Sequence, residues 1–119
     1  MSLIPPVTAI ERTEEAITLA ISVSPMLDYF PGHFPGVPIL PGVVQVDWAV
    51  RFAHKYLAIA VTGFSSLRAI KFSAPVLPDS SLLLRLSWHA KKQRLDFSYR
   101  DDLRTVSSGQ IVFAEQGIA

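Results

Sequence analysis

Four prolines within eleven residues constrain this chain more than any other feature. The stretch Phe30 to Asp47 reads FPGHFPGVPILPGVVQVD, with Pro31, Pro35, Pro38 and Pro41 separated by Gly32, Gly36 and, last, Gly42. Each proline fixes φ and removes an amide donor, so neither a helix nor a central strand can run through the segment. Glycine relaxes the backbone between them. The spacing therefore predicts a rigid, tightly shaped loop over Pro31–Pro41. Directly afterwards the pattern turns helical, with Val43, Val46, Val50 and Ala53 on one side. Proline followed by glycine suits the start of such a helix. The loop carries one histidine, His33, and the first turns of the helix carry one acid, Asp47. A shaped loop, an imidazole, a helix N-terminus and a carboxylate mark the candidate site.

The rest of the composition narrows the class. A chain of 119 residues is expected to form one domain, 1–119. Half of its residues are hydrophobic and 18% are charged, which is globular rather than disordered. A formal net charge of +1, with no basic face, argues against nucleic acid as a partner. No run approaches the roughly 18 apolar residues of a membrane span, and MSLIPPV lacks the basic start of a secretory signal. The absence of cysteine excludes disulfides, thiolate catalysis and zinc–thiolate sites. A cytoplasmic location fits this set.

Around the loop and helix the chain reads as strands. Residues 7–12 and 16–23 form a hairpin, the second alternating with Ile17, Leu19, Ile21 and Val23 on one face. The helix is expected from about Gly42 to about Ile59, apolar over most of its circumference and so enclosed on several sides. Strands follow over Leu67–Ser73, Leu82–His89, Arg94–Arg100 and Val106–Phe113, with a turn at Ala90–Gln93. Leu82, Leu84, Leu86 and Trp88 share one face, and Leu95, Phe97 and Tyr99 share another. The order β-β-loop-α-β-β-β-β, with one helix for one sheet, predicts an α+β fold whose sheet wraps around the helix on one face. Exposed edges and spare apolar residues point to a partner subunit.

Gly32-His33-Phe34-Pro35-Gly36, then Pro38-Ile39-Leu40-Pro41-Gly42, then Asp47, resembles the β-hydroxyacyl-acyl-carrier-protein dehydratases of the hotdog fold. His33 and Asp47 stand 14 positions apart, as the histidine and acid do in that family. A weaker likeness lies in Ala69-Ile70-Lys71-Phe72 followed by Pro75-Val76-Leu77-Pro78. The chain departs from the family pattern: Trp48 stands where alanine is usual, Arg51 where glutamine is usual, and the acid is Asp47, as in the dehydratase-isomerase branch, within a frame otherwise like the simple dehydratases, which carry Glu there. The resemblance implies a hotdog dimer or higher homo-oligomer with no cofactor. His33 and Asp47 would come from different subunits, and the acyl chain would lie along their interface. It also implies acyl carrier protein as partner, presenting its acyl group on phosphopantetheine.

Dehydration of a 3-hydroxyacyl thioester needs a base for the α-proton, help for the departing β-hydroxyl, and a donor to the thioester oxygen. His33 suits the base. Asp47 suits the acid, or it positions the hydroxyl or a water. An apolar wall of Val43, Val44, Val46 and Trp48 would favour a protonated acid there. The Gly42 amide, at the helix N-terminus, is the candidate donor to the oxygen. Phe34, Pro41, Val43, Trp48 and Arg51 are candidate substrate contacts. A lone loop histidine is more often structural, and an early helix acid is more often a dipole partner. It is the shared motif and interval that favour catalysis over those readings. The alternatives are a hotdog acyl thioesterase and a non-catalytic acyl-binding or dimerisation module.

Overall fold

A computed structural model describes residues 4–14, 16–23, 40–57, 59 and 64–113. His33, Phe34 and most of the Pro/Gly loop lie outside the described residues. Within them the order is β1 (Val7–Arg12), β2 (Ala16–Ser22), α1 (Gly42–Leu57), β3 (Phe64–Phe72), β4 (Ser81–His89), β5 (Arg94–Arg100) and β6 (Thr105–Phe113). The strands form one antiparallel sheet in the order β1-β2-β4-β5-β6-β3. This is the antiparallel sheet around one long helix that the motif implied. Because β2 lies next to one edge and β3 forms the other, the chain must cross the sheet between them. The helix sits in that crossing.

Alternation explains which face the helix meets. In β2 and β4 the apolar residues pair across the strands, Leu19 with Leu84 and Ile17 with Leu86. The same rows continue into β5, where Leu84 pairs with Tyr99 and Leu86 with Phe97. All of these side chains are buried, and they join Val44, Trp48, Ala49, Phe52 and Ala53 of α1 in one core. Period 2 on the strands and period 3.6 on the helix bring the two apolar surfaces together.

The helix departs from expectation in two ways. It ends at Leu57 rather than about Ile59. There the Arg12 guanidinium donates to the Tyr56 carbonyl at 3.0 Å, occupying one of the carbonyls left without an intrahelical donor. In the single chain it is also not enclosed on several sides. Val43 is 76% exposed, while Val46 and Val50 are half-buried. One apolar side of the helix is therefore open in the single chain. Among the described residues no helix is long and apolar enough to cross a membrane.

Among the described residues, three outside glycine adopt positive φ: Ala69 at 53°, Asp79 at 65° and Gln93 at 48°. Gln93 closes the short 3₁₀ turn Ala90–Lys92 between β4 and β5. Ala69 coincides with a register shift between Arg68 and Lys71 in the pairing of β3 with β6. It marks a bulge in the edge strand.

Candidate active site

Pro41 sets the start of the helix. Its carbonyl accepts from the amides of Val44 at 3.1 Å and Gln45 at 3.3 Å, so the helical ladder begins immediately. The amides of Gly42 and Val43 precede those donors and have no partner inside the helix. Gly42 lies directly under the Phe72 ring: a Cβ added there would stand 2.5 Å from Phe72 Cζ. Glycine thus lets the Phe72 ring of β3 lie against the helix start.

Two open clefts meet at this point. One, of about 490 Å³, runs between Leu40–Val43 and Ser73–Pro75. The other, of about 450 Å³, is a groove between α1 and β3, bordered by Val43, Val46, Val50, Leu67 and Ile70. Val43 and Phe72 border both, so the half-exposed Phe72 ring separates them. Among the described residues Asp47 is the one charged residue on the groove. Its side chain is 46% exposed and accepts from Arg51 Nε at 2.7 Å through Oδ2.

The expected site residues divide accordingly. Pro41, Gly42 and Val43 border the first cleft, and Val43 and Asp47 border the groove. Trp48 is placed elsewhere, against expectation. It is fully buried among the core residues, and neither lines nor plugs either cleft. Val44 likewise faces the core, so the apolar wall foreseen around Asp47 reduces to Val43 and Val46, with Val50 added. The physical reason is helical geometry: Val44 and Trp48 are four apart and share the inward stripe, whereas Val43, Asp47 and Val50 share the outward one. Arg51 does not border the groove; its guanidinium turns to Asp47. Of the other histidines, His54 is exposed, and His89 Nε2 lies 3.0 Å from Asp96 Oδ2 with Arg94 bonded to the same carboxylate.

Sequence reasoning missed the polar cluster beneath the helix start. Gln45 is 3% exposed. Its carbonyl accepts from the Tyr99 hydroxyl at 2.7 Å, and its Oε1 accepts from the Ser107 hydroxyl at 2.6 Å. Its Nε2 donates to the Leu40 carbonyl at 3.4 Å. Tyr99 and Ser107 are cross-strand partners, so the two hydroxyls stand side by side on the inner face. Burial pushes the Tyr99 phenol well above its usual range, and the nearby Asp47 charge adds to this. The available signal was a single amide in a run of valines, which pattern alone cannot separate from a surface position.

A family model described as ApeI dehydratase, ApeI-like, matches residues 9–110. Among curated proteins the chain is 37% identical over 76 residues to the 3-hydroxyacyl-[acyl-carrier-protein] dehydratase FabZ of Erythrobacter litoralis, covering 57% of this chain and 50% of that protein. It is 32% identical over 100 residues to FabZ of Rhizorhabdus wittichii, covering 73% and 64%. The chain therefore spans about half to two-thirds of the length of these curated relatives. Among solved structures, the dehydratase heterocomplex ApeI:P of Xenorhabdus doucetiae aligns with a TM-score of 0.83 at 38% identity, covering 91% of this chain and 96% of that one. An uncharacterized protein of Erwinia carotovora subsp. atroseptica aligns with a TM-score of 0.78 at 44% identity, covering 91% and 94%.

Proposed function

We infer the reaction from one premise: this chain belongs to the ApeI-like dehydratase family. The protein dehydrates 3-hydroxyacyl thioesters carried on acyl carrier protein to trans-2-enoyl thioesters, in fatty-acid or related lipid biosynthesis. One observation supports this reading above the others. Asp47, 14 positions after His33, sits on an apolar groove whose wall includes Val43, next to Gly42 at the helix start. The thioesterase and acyl-binding alternatives gain no support from the relatives.

In this reading His33 takes the α-proton while the Gly42 amide donates to the thioester oxygen as negative charge gathers there. The C=C bond forms as the bond from the β-carbon to oxygen breaks. The contact with Arg51 favours the positioning role for Asp47: a carboxylate already paired with a guanidinium accepts the β-hydroxyl better than it supplies a proton. The proton taken by His33 then passes to the departing oxygen, which leaves as water and returns the enzyme to its starting state. Phe34, Pro41 and Val43 contact the acyl group.

A second copy completes the site. Val43, Leu67 and Phe72 are large apolar groups, each more than 40% exposed, arranged around one groove. A contiguous apolar surface of this kind favours a protein partner. The partner copy brings its His33 towards this Asp47, in a cytoplasmic homodimer or higher assembly that is served by acyl carrier protein.

Hydration of a trans-2-enoyl thioester by the purified protein tests the reaction. Asp47→Asn and His33→Ala are each expected to lose at least a hundredfold in kcat. Full activity in His33→Ala would overturn the assignment.

A further inference from the structure

We propose that Gln45 is a positioning residue, a buried clamp that aims the Gly42 amide from beneath the helix. The inference rests on the dehydratase reading but concerns a residue that is absent from the Asp47 groove and borders only the first cleft, at 3% exposure. Gln45 and Gly42 are three apart and lie towards the sheet, whereas Asp47 lies on the outward side.

The junction before Gly42 has few handles. Pro41 has no N–H, so between the Leu40 amide and the Gly42 amide the backbone can be held only through its carbonyls. The Leu40 amide donates to the Val76 carbonyl at 2.8 Å, and the Pro41 carbonyl accepts from Val44 and Gln45. The Leu40 carbonyl is left, and the Gln45 Nε2 donates to it. What orients that amide is Ser107. Its hydroxyl donates to Oε1 at 2.6 Å, which turns the NH₂ end towards Leu40. Tyr99 secures the same residue through its main-chain carbonyl. The Gln45 side chain thus holds the Leu40–Pro41 peptide, the one immediately before the peptide that carries the Gly42 N–H.

Core filling does not require this arrangement. A buried amide is costly unless fully bonded, and an apolar residue of similar size would close the same space. Ser107 is 1% exposed and Tyr99 is fully buried. The directionality of the cluster is retained where a small rotation of the Gly42 N–H would misplace a donor to the thioester oxygen. Displacements of that size cost catalysis more than binding.

The test uses the full chain with a trans-2-enoyl thioester, reading kcat, KM and Tm for Gln45→Met, Ser107→Ala and the double variant. Each single variant is expected to lower kcat, about tenfold or more for Gln45→Met and about threefold or more for Ser107→Ala, with KM unchanged. The double variant removes both partners, so it is expected to regain Tm relative to the single variants while kcat stays low. Recovery of kcat together with Tm would show a purely structural role and overturn the proposal. So would a kcat within twofold of wild type in both single variants. If Gln45→Met does not fold, Ser107→Ala decides alone. Asp47→Asn serves as the control. An inactive wild-type protein would overturn both the dehydratase reading and this one, whereas an active wild type with fully active single variants would overturn only the clamp.

Discussion

Arg51 reaches back one helical turn to Asp47, its Nε donating to Oδ2 at 2.7 Å. Both side chains are about half exposed, at 52% and 46%, so solvent screens the pair and little of the fold's stability depends on it. Its effect is on geometry: one carboxylate oxygen is occupied, and the other has no hydrogen-bond partner among the described residues.

Arg51→Met is therefore expected to change unfolding free energy by no more than about 0.5 kcal/mol in denaturant titration. The same variant is expected to lose about tenfold in kcat for enoyl thioester hydration, since the carboxylate loses its fixed rotamer. Arg51→Lys, which keeps the charge but not the planar donor, is expected to fall between the two.

Gly42→Ala places a methyl 2.5 Å from Phe72 Cζ. The Phe72 ring is half exposed and is the end of a flexible side chain, so it can swing aside at small cost. Stability is expected to stay within about 1 kcal/mol of wild type, because alanine also raises helix propensity. Activity is expected to fall about tenfold as the ring moves into the groove. Gly42→Ala combined with Phe72→Ala should recover part of that loss, which a double-mutant cycle on kcat/KM would register.

Tyr99 makes a pH prediction. Burial, helped by the Asp47 charge, raises its folded pKa above the ordinary value of 10.0. The unfolded chain then releases this proton first. Below pH 10 the contribution of Tyr99 to stability is constant. Above it stability declines with pH, by up to about 1.4 kcal/mol per unit, until the folded phenol itself ionises. Tyr99→Phe is expected to lose about 1 kcal/mol at neutral pH, from the bond to the Gln45 carbonyl, and to lack this part of the alkaline decline. Thermal melts of both proteins from pH 8 to 12 check it.

Ala69 holds φ at 53° in the bulge of β3. An alanine there carries strain that glycine would not. Ala69→Gly is expected to raise stability by about 0.5 kcal/mol, the relief being partly offset by the greater freedom of glycine when unfolded. A lower midpoint in urea would contradict it.

Much of this architecture was readable before any coordinates. Strict alternation placed β2, β4 and β5 and the inward faces of Leu19, Leu84 and Tyr99. Pro41-Gly42 placed the helix start. The position of β3 beside β6, at the far edge from β1, could not be read, because pairing partners distant in sequence leave no local trace. Nor could the face of the helix. Val44, Trp48 and Phe52 form one apolar stripe and Val43, Val46 and Val50 another, and nothing in the sequence says which meets the sheet. That ambiguity assigned Trp48 to the acyl site when it belongs to the core. The bulge at Ala69 lacks the glycine that would have announced it, and Gln45 is a lone amide whose partners lie 54 and 62 positions away.

The open side of the helix has a thermodynamic consequence. The groove at Asp47 is walled by α1 and β3 of its own chain and is open beyond them, with Val43 76% exposed at its rim. In the homodimer proposed above a second molecule finishes this cleft, so its assembly obeys mass action. Specific activity should therefore drop on dilution and return on concentration. A charge at Val43 should move that midpoint to higher protein concentration without altering the melting of the isolated sheet and helix.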